Sequence, residues 1–163
     1  LAVIYNQGTK ENAGIFSQSQ GWLILAEALR GHGERAFNYF LENAPSAQND
    51  RAEIRQLEPY CYGQFTEGRA SGTASTVMVG CVEGILGLRP DLEGLRIAPA
   101  IPKSWSSFEL EKDFRGRHLH IRVENPEHRE SGFTRLLLNG QELTDNYIPE
   151  KLLEPQNDIS LTL

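Results

Sequence analysis

"GTASTVMVGCVEGILG", residues 72–87, decides how the first half of the chain folds. It is apolar nearly all round and carries Gly80 and Gly84 four positions apart. A helix that is apolar on every side is a buried one, and small residues on one face let a second helix come close. Each glycine would cost about 1 kcal/mol relative to alanine in an isolated helix. The stretch therefore predicts a helix held in place by neighbours that cover it.

As part of a lone chain of this length, the stretch would expose a large apolar patch, so it reads as a sign of partner helices missing from the chain. Trp22, Leu25, Ala26 and Leu29 recur at i, i+3, i+4 and i+7, which predicts an amphipathic helix over residues 19–30. Ser17 or Ser19 can cap its start, and Gly31 ends it. Residues 34–43 repeat the pattern with Phe37, Phe40 and Leu41. The short "GHG" link between the two favours antiparallel neighbours. Residues 44–72 are polar and irregular apart from "LEPYCYGQF".

Downstream of residue 92 the period changes to two. In "HLHIRVEN", Leu119, Ile121 and Val123 alternate with His118, His120, Arg122 and Glu124, so one face meets a core and the other meets water. "RG" at 115–116 and "NG" at 139–140 are turn signals. The expected class is α+β: helices first, then an antiparallel sheet or sandwich.

Composition bounds the function. The chain has 163 residues and a formal charge of −6. Nucleic acids and anionic membranes both call for a basic face, so neither is an expected partner. No run of 18 apolar residues is present, and no membrane span is expected. The chain starts at Leu1 without a signal peptide, which suggests a piece of something longer or a processed chain. Cys61 and Cys81 sit in apolar contexts without metal-type spacing; they read as core thiols in a reducing, cytoplasmic compartment. His118 and His120 share a strand face, but two histidines without a third ligand read as a solvated face rather than a metal pair. His32, in its Gly-flanked turn, reads as a surface residue.

One polar stretch raises a functional question. "NQGTKENAGIFSQSQGW", residues 6–22, crowds Lys10, Glu11, Asn12, Ser17, Gln18, Ser19 and Gln20 ahead of the first helix. A surface loop and a site for a polar ligand would both look like this.

Several blocks resemble the inverting sugar phosphorylases of glycoside hydrolase family 94. They are "GTKENAGIF", "WLILAEALRGHGERAFNYF", "NDRAEIRQLEPYCYGQ", "GTAST" and "EGILGLRPDLEGLRIAPAIPKSW". The likeness runs over residues 5–125. It implies that residues 1–90 are the last helices of an (α/α)6 catalytic barrel and residues 91–163 a jelly-roll-like β-sandwich. It implies phosphorolysis with inversion. Phosphate attacks the anomeric carbon of a β-linked glucosyl disaccharide or oligosaccharide on one face, while a carboxylic acid protonates the leaving oxygen on the other. The product is α-glucose 1-phosphate. Inorganic phosphate is a co-substrate, and no cofactor or metal is needed. The acid is an aspartate well upstream in the family, so no catalytic residue is expected in this chain, and the remainder of the barrel becomes a required partner. Many family members are homodimers.

The resemblance also assigns residues. Lys10 matches the lysine of the K-E-N tract at the sugar and phosphate pocket. Glu11 and Asn12 would bind sugar hydroxyls or tie the loop. Ser71, Gly72 and Thr73 match the [TS]-G-T tract, whose hydroxyl and N–H groups reach phosphate. Glu58 and Tyr60 would bind sugar; the alternative is a helix start with Pro59 at its first position and core tyrosines. Gln18 stands where many members carry a phosphate-contacting histidine, and glutamine donates without supplying charge. "TEGRASGTAS" is shorter than the family's segment, so either a loop is missing between residues 67 and 72 or the site is truncated. Two readings compete with a phosphorylase: a non-catalytic carbohydrate-binding module, and a cyclic β-1,2-glucan synthase type, whose tract tends to read R-E-N rather than K-E-N.

Overall fold

The computed structural model describes residues 18–44, 47 and 72–163. Its first helix, α1, spans Gln18–Leu29. It ends as the glycine at 31 predicts, with Gly31 at φ +80. The Gly31 N–H donates to the Ala28 carbonyl and the His32 N–H to the Glu27 carbonyl, which satisfies the last carbonyls of the helix. The Glu27 carboxylate reinforces the turn, 2.6 Å from His32 Nδ1 and 3.2 Å from an Arg35 N–H donor. Helix α2, Gly33–Asn43, then runs back along α1.

Residues 72–87 form helix α3, Gly72–Val79, which widens without a break into a π-helical turn, Gly80–Ile85. The Leu86 N–H donates to the Cys81 carbonyl five residues back, the bond of a π turn.

The contact between α1 and α3 is backbone against backbone. A Cβ on Gly21 would lie 2.2 Å from the Thr76 carbonyl carbon, and one on Gly80 would lie 2.8 Å from the Gly21 oxygen. A Cβ on Gly84 would meet Ala28 Cβ at 3.1 Å. Contact positions rise together along both helices, so the two run parallel and start at the same end.

This corrects two expectations. The buried stripe of α1 is Gly21, Ile24 and Ala28, whereas Trp22 is 59% exposed and Leu29 and Ala26 also face outward. Large side chains cannot enter a contact this close, so the period carried by Trp22 and Leu29 marks a second face. Nor is α3 buried all round. Thr76, Val77, Gly80 and Gly84 are buried, but Met78 is 64% exposed.

Beyond Gly87 the chain is β structure. Strands β1 (Leu88–Pro90), β2 (Gly94–Ile97) and β7 (Tyr147–Pro149) form a three-stranded antiparallel sheet. A five-stranded sheet has the order β3-β4-β8-β5-β6. Its strands are β3 (Ser107–Phe114), β4 (Arg117–Glu124), β5 (Arg135–Leu138), β6 (Gln141–Leu143) and β8 (Gln156–Thr162). Both sequence-read turns are present. Arg115 and Gly116, then Asn139 and Gly140, all have positive φ, as two-residue hairpin loops require. On β4, Leu119, Ile121 and Val123 are fully buried, as the alternation predicts.

The purely antiparallel expectation fails at one place. β4 and β8 pair in parallel, Ile121 opposite Ile159. After β6 the chain crosses to the other sheet as β7, and from there β8 enters between β4 and β5 in the same direction as β4.

Helices and strands share one continuous core. The Ala100 N–H donates to the Ile85 carbonyl, Gly33 sits where a Cβ would lie 2.2 Å from the Ile101 oxygen, and Phe37 of α2 meets Trp105 edge-on at 5.1 Å. Fully buried Asn125 holds the loop after β4: its Nδ2 donates to the Trp105 and Arg129 carbonyls and its Oδ1 accepts from the Arg129 N–H.

The outer face of the five-stranded sheet is charged. His120 Nε2 pairs with Glu109 of β3, and His120 Nδ1 lies 2.9 Å from Asp158 Oδ1 of β8. Only an imidazolium donates from both nitrogens. Asp158 first, and then Glu109, hold the His120 pKa above its ordinary value, while Glu109 is held low by His120 and then Arg122. The two histidines are thus paired to carboxylates, His118 with Asp113 at 3.1 Å. No group of three His, Cys, Asp or Glu suited to a metal occurs among the described residues.

Two predictions follow from this packing. Gly21→Ala forces α1 and α3 apart and is expected to cost about 1–3 kcal/mol in urea unfolding. Ala26→Ser, on the exposed face, stays within about 0.5 kcal/mol. An unchanged unfolding midpoint for Gly21→Ala would contradict the contact. The second prediction concerns pH. A raised histidine pKa stabilises below its unfolded value of 6.5 and the benefit is lost as pH rises through the folded value. A lowered glutamate pKa stabilises above 4.5 and is lost as pH falls. His120→Ala should therefore shift the unfolding midpoint most between those two values and least near pH 9.

Candidate functional site

The parallel contact brings two helix starts together. Gln18 opens α1 and Gly72 opens α3. The Thr76 hydroxyl, itself buried, donates to the Gln18 carbonyl at 2.8 Å and ties the first residue of α1 to the second turn of α3. First-turn N–H groups have no partner within their own helix, and the aligned peptide dipoles leave about half a positive charge at each start. Neither first turn contains an acidic residue that would neutralise it. Two like ends side by side repel each other and attract an anion.

The polar side of α1 faces out here. Gln18 and Ser19 are exposed and Gln20 is half-buried. Gly72 and Thr73 are the first two residues of α3. The structure thus brings Gln18, Gly72 and Thr73 to one end of the helix pair. Lys10, Glu11, Asn12, Glu58, Tyr60 and Ser71 lie outside the described residues, as do Cys61, the cap at Ser17 and the short segment between residues 67 and 72.

The described helical residues bring no acid catalyst to this end. Glu27 is committed to His32 and Arg35 at the opposite end of α1, and those contacts, led by His32, hold its carboxyl below the usual glutamate value. Cys81 is no nucleophile either. Burial pushes its thiol up to about 11, so it stays protonated at neutral pH.

Thr76 and Gly21 escaped the sequence reading. Their signal was a row of small residues at helical spacing, Thr76, Gly80 and Gly84, facing Gly21 and Ala28. A period built on large apolar residues passes over it.

Two family models match the chain. Residues 2–87 match the model of the glycosyl hydrolase 94 superfamily, catalytic domain, and residues 88–144 match that of the glycosyl hydrolase family 65, C-terminal domain. An N,N'-diacetylchitobiose phosphorylase of Vibrio proteolyticus is 36% identical over 88% of this chain and 20% of its own length. A cellobionic acid phosphorylase of Neurospora crassa is 30% identical over 71% of this chain and 17% of its own. A solabiose phosphorylase of Paenibacillus borealis is 23% identical over 87% and 20%. The chain therefore spans about a fifth of the length of these relatives. With more than half of its residues matched by the catalytic-domain model, the chain belongs to the glycosyl hydrolase 94 superfamily.

Proposed function

We propose that this chain is the C-terminal part of an inverting phosphorylase of β-linked disaccharides or oligosaccharides, and that the paired starts of α1 and α3 form its phosphate cradle. The observation that carries the reading is the Thr76–Gln18 bond between two parallel helix starts that lack acidic residues. Phosphate is already anionic and needs no general base. What it needs is N–H groups, hydroxyls and fixed positive potential.

In this reading the N–H groups at Gly72 and Thr73, the hydroxyls of Ser71 and Thr73, and the Gln18 amide hold phosphate against the anomeric carbon. Lys10, Glu11, Asn12, Glu58 and Tyr60 hold the sugar. The C–O bond to the leaving sugar breaks as phosphate oxygen bonds to carbon, and a carboxylic acid outside this chain supplies the proton to the leaving oxygen. The product is an α-sugar 1-phosphate.

Residues 1–90 would close the (α/α)6 barrel, with outward-facing Trp22 and Met78 covered by its remaining helices. Residues 91–163 would form the β-sandwich beside it. The enzyme would work in the cytoplasm as a homodimer, where reduced thiols such as Cys81 persist. No described helix is long and apolar enough to cross a membrane. The diacetylchitobiose phosphorylases, at 36% and 37% identity, make N,N'-diacetylchitobiose a substrate to test alongside the β-glucobioses.

The test is phosphate-dependent release of sugar 1-phosphate by the full-length protein over that panel. Release of free sugar alone, or no turnover on any member, contradicts the reading. Within an active enzyme, Thr73→Val and Gln18→Ala each remove a donor to an anion. Each is expected to raise the KM for phosphate about tenfold or more, since a hydrogen bond to a charged group is worth about 1.5–3 kcal/mol. The KM for the disaccharide should move far less. Equal changes in both constants would remove these residues from the cradle.

A further inference from the structure

The opposite end of α1 carries a second concentration of positive charge. A groove of about 250 Å³ opens at the seam between helices and strands, where Gly31 meets the loop at Ser131. Arg30 and Arg89 line it together with Ser131 and Asn146. No carboxylate residue does, although the chain holds 22 acidic residues against 16 Lys and Arg. A local excess of guanidinium is therefore not inherited from composition.

The donors are free. Neither the Arg30 guanidinium nor the Ser131 hydroxyl has a hydrogen-bond partner among the described residues. Arg89 is oriented by its own bonds, Nε to the Glu83 carbonyl and one Nη to the Ala98 carbonyl at 3.2 Å, which leaves its other Nη available. Burial, then the nearby Arg96, lower the Arg89 pKa, with the Glu83 charge opposing them. An anion in the groove would relieve that repulsion.

Shape narrows the ligand. Leu29, Pro99 and Phe133 form the remaining walls. A tetrahedral oxyanion would occupy only the part beside the arginines, and the rest offers apolar faces to a flat body such as a sugar ring. The groove is also separate from the cradle: Arg30 lies twelve residue steps beyond Gln18, about 18 Å of helix.

We propose that the seam groove binds a small organophosphate of sugar-phosphate type, its phosphate between Arg30 and Arg89 and its body against Leu29, Pro99 and Phe133. The proposal rests on the groove and not on the catalytic reading.

Isothermal titration of the full-length protein tests it, with glucose 6-phosphate and inorganic phosphate as separate probes. Arg30→Gln suits the purpose because Arg30 is exposed and supports no fold contact by its side chain. It should weaken glucose 6-phosphate at least tenfold, the scale of one lost charge-assisted bond. Inorganic phosphate should bind more weakly at this groove than the sugar phosphate. The proposal is overturned by equal affinity for glucose 6-phosphate in wild type and variant, or by no binding of it at millimolar concentration. It is overturned as a sugar-phosphate site if inorganic phosphate binds as tightly with the same dependence on Arg30. Ser131→Ala, expected to give a smaller loss with an unchanged unfolding midpoint, separates a binding effect from a folding one.

Discussion

Everything in the helical part depends on the approach of α1 to α3 at Gly21 and Thr76. Two helix backbones come into contact there because Gly21 has no side chain and Thr76 has only a short one. That contact fixes the direction of both helices, sets their starts side by side, and lets the Thr76 hydroxyl bridge to the Gln18 carbonyl. Glycine is costly in a lone helix, so Gly80 and Gly84 are explained only by what they admit. The site at the helix starts is a product of the same constraint. Two parallel dipoles repel each other, and the fold holds them together through packing further along, at Ile24, Ala28 and Gly84. An anion at the starts, as proposed, would turn that electrostatic cost into binding.

The β part anchors the pair from the other end. Gly87, at φ +72, allows the chain to leave the π turn against the Ala98 carbonyl, and Ala100 donates back to Ile85. Phe37 on Trp105 fastens α2 to the loop ahead of β3. The hairpin tip at Arg115 reaches the carbonyls of Asp91 and Leu92 and pairs with Glu150, so the two sheets are linked by one side chain in a left-handed turn. The starts of α1 and α3 thus lie at the end of the helix pair away from the bonds that join it to the sheets.

Sequence periodicity revealed some of this and concealed the rest for identifiable reasons. Alternation at Leu119, Ile121 and Val123 was legible because one face of β4 meets the core and one meets water. The "RG" and "NG" hairpins were legible because few residues tolerate positive φ at both positions. The buried stripe of α1 was misread because the eye follows Trp22 and Leu29, while the contact is made by Gly21. The parallel insertion of β8 leaves no local trace: strand direction is set by where β7 ends, a tertiary fact. Gln18, Gly72 and Thr73 were read from a resemblance in motif, and their proximity follows from the glycine spacing at 80 and 84, which signals a close helix contact but does not say that Gly21 is its partner. Thr76 was invisible as a site-forming residue, because a threonine inside a helix looks like any other.

The most direct test of the account is the stereochemistry of the first-formed product. Phosphorus and proton nuclear magnetic resonance would follow the full-length protein acting on a β-linked disaccharide in phosphate buffer. The account predicts an α-sugar 1-phosphate from the earliest time points, formed only when phosphate is present. A β-sugar 1-phosphate, or free sugar produced equally without phosphate, would contradict it: either result would mean that the anion cradle assigned to the starts of α1 and α3 does not deliver phosphate to the inverted face.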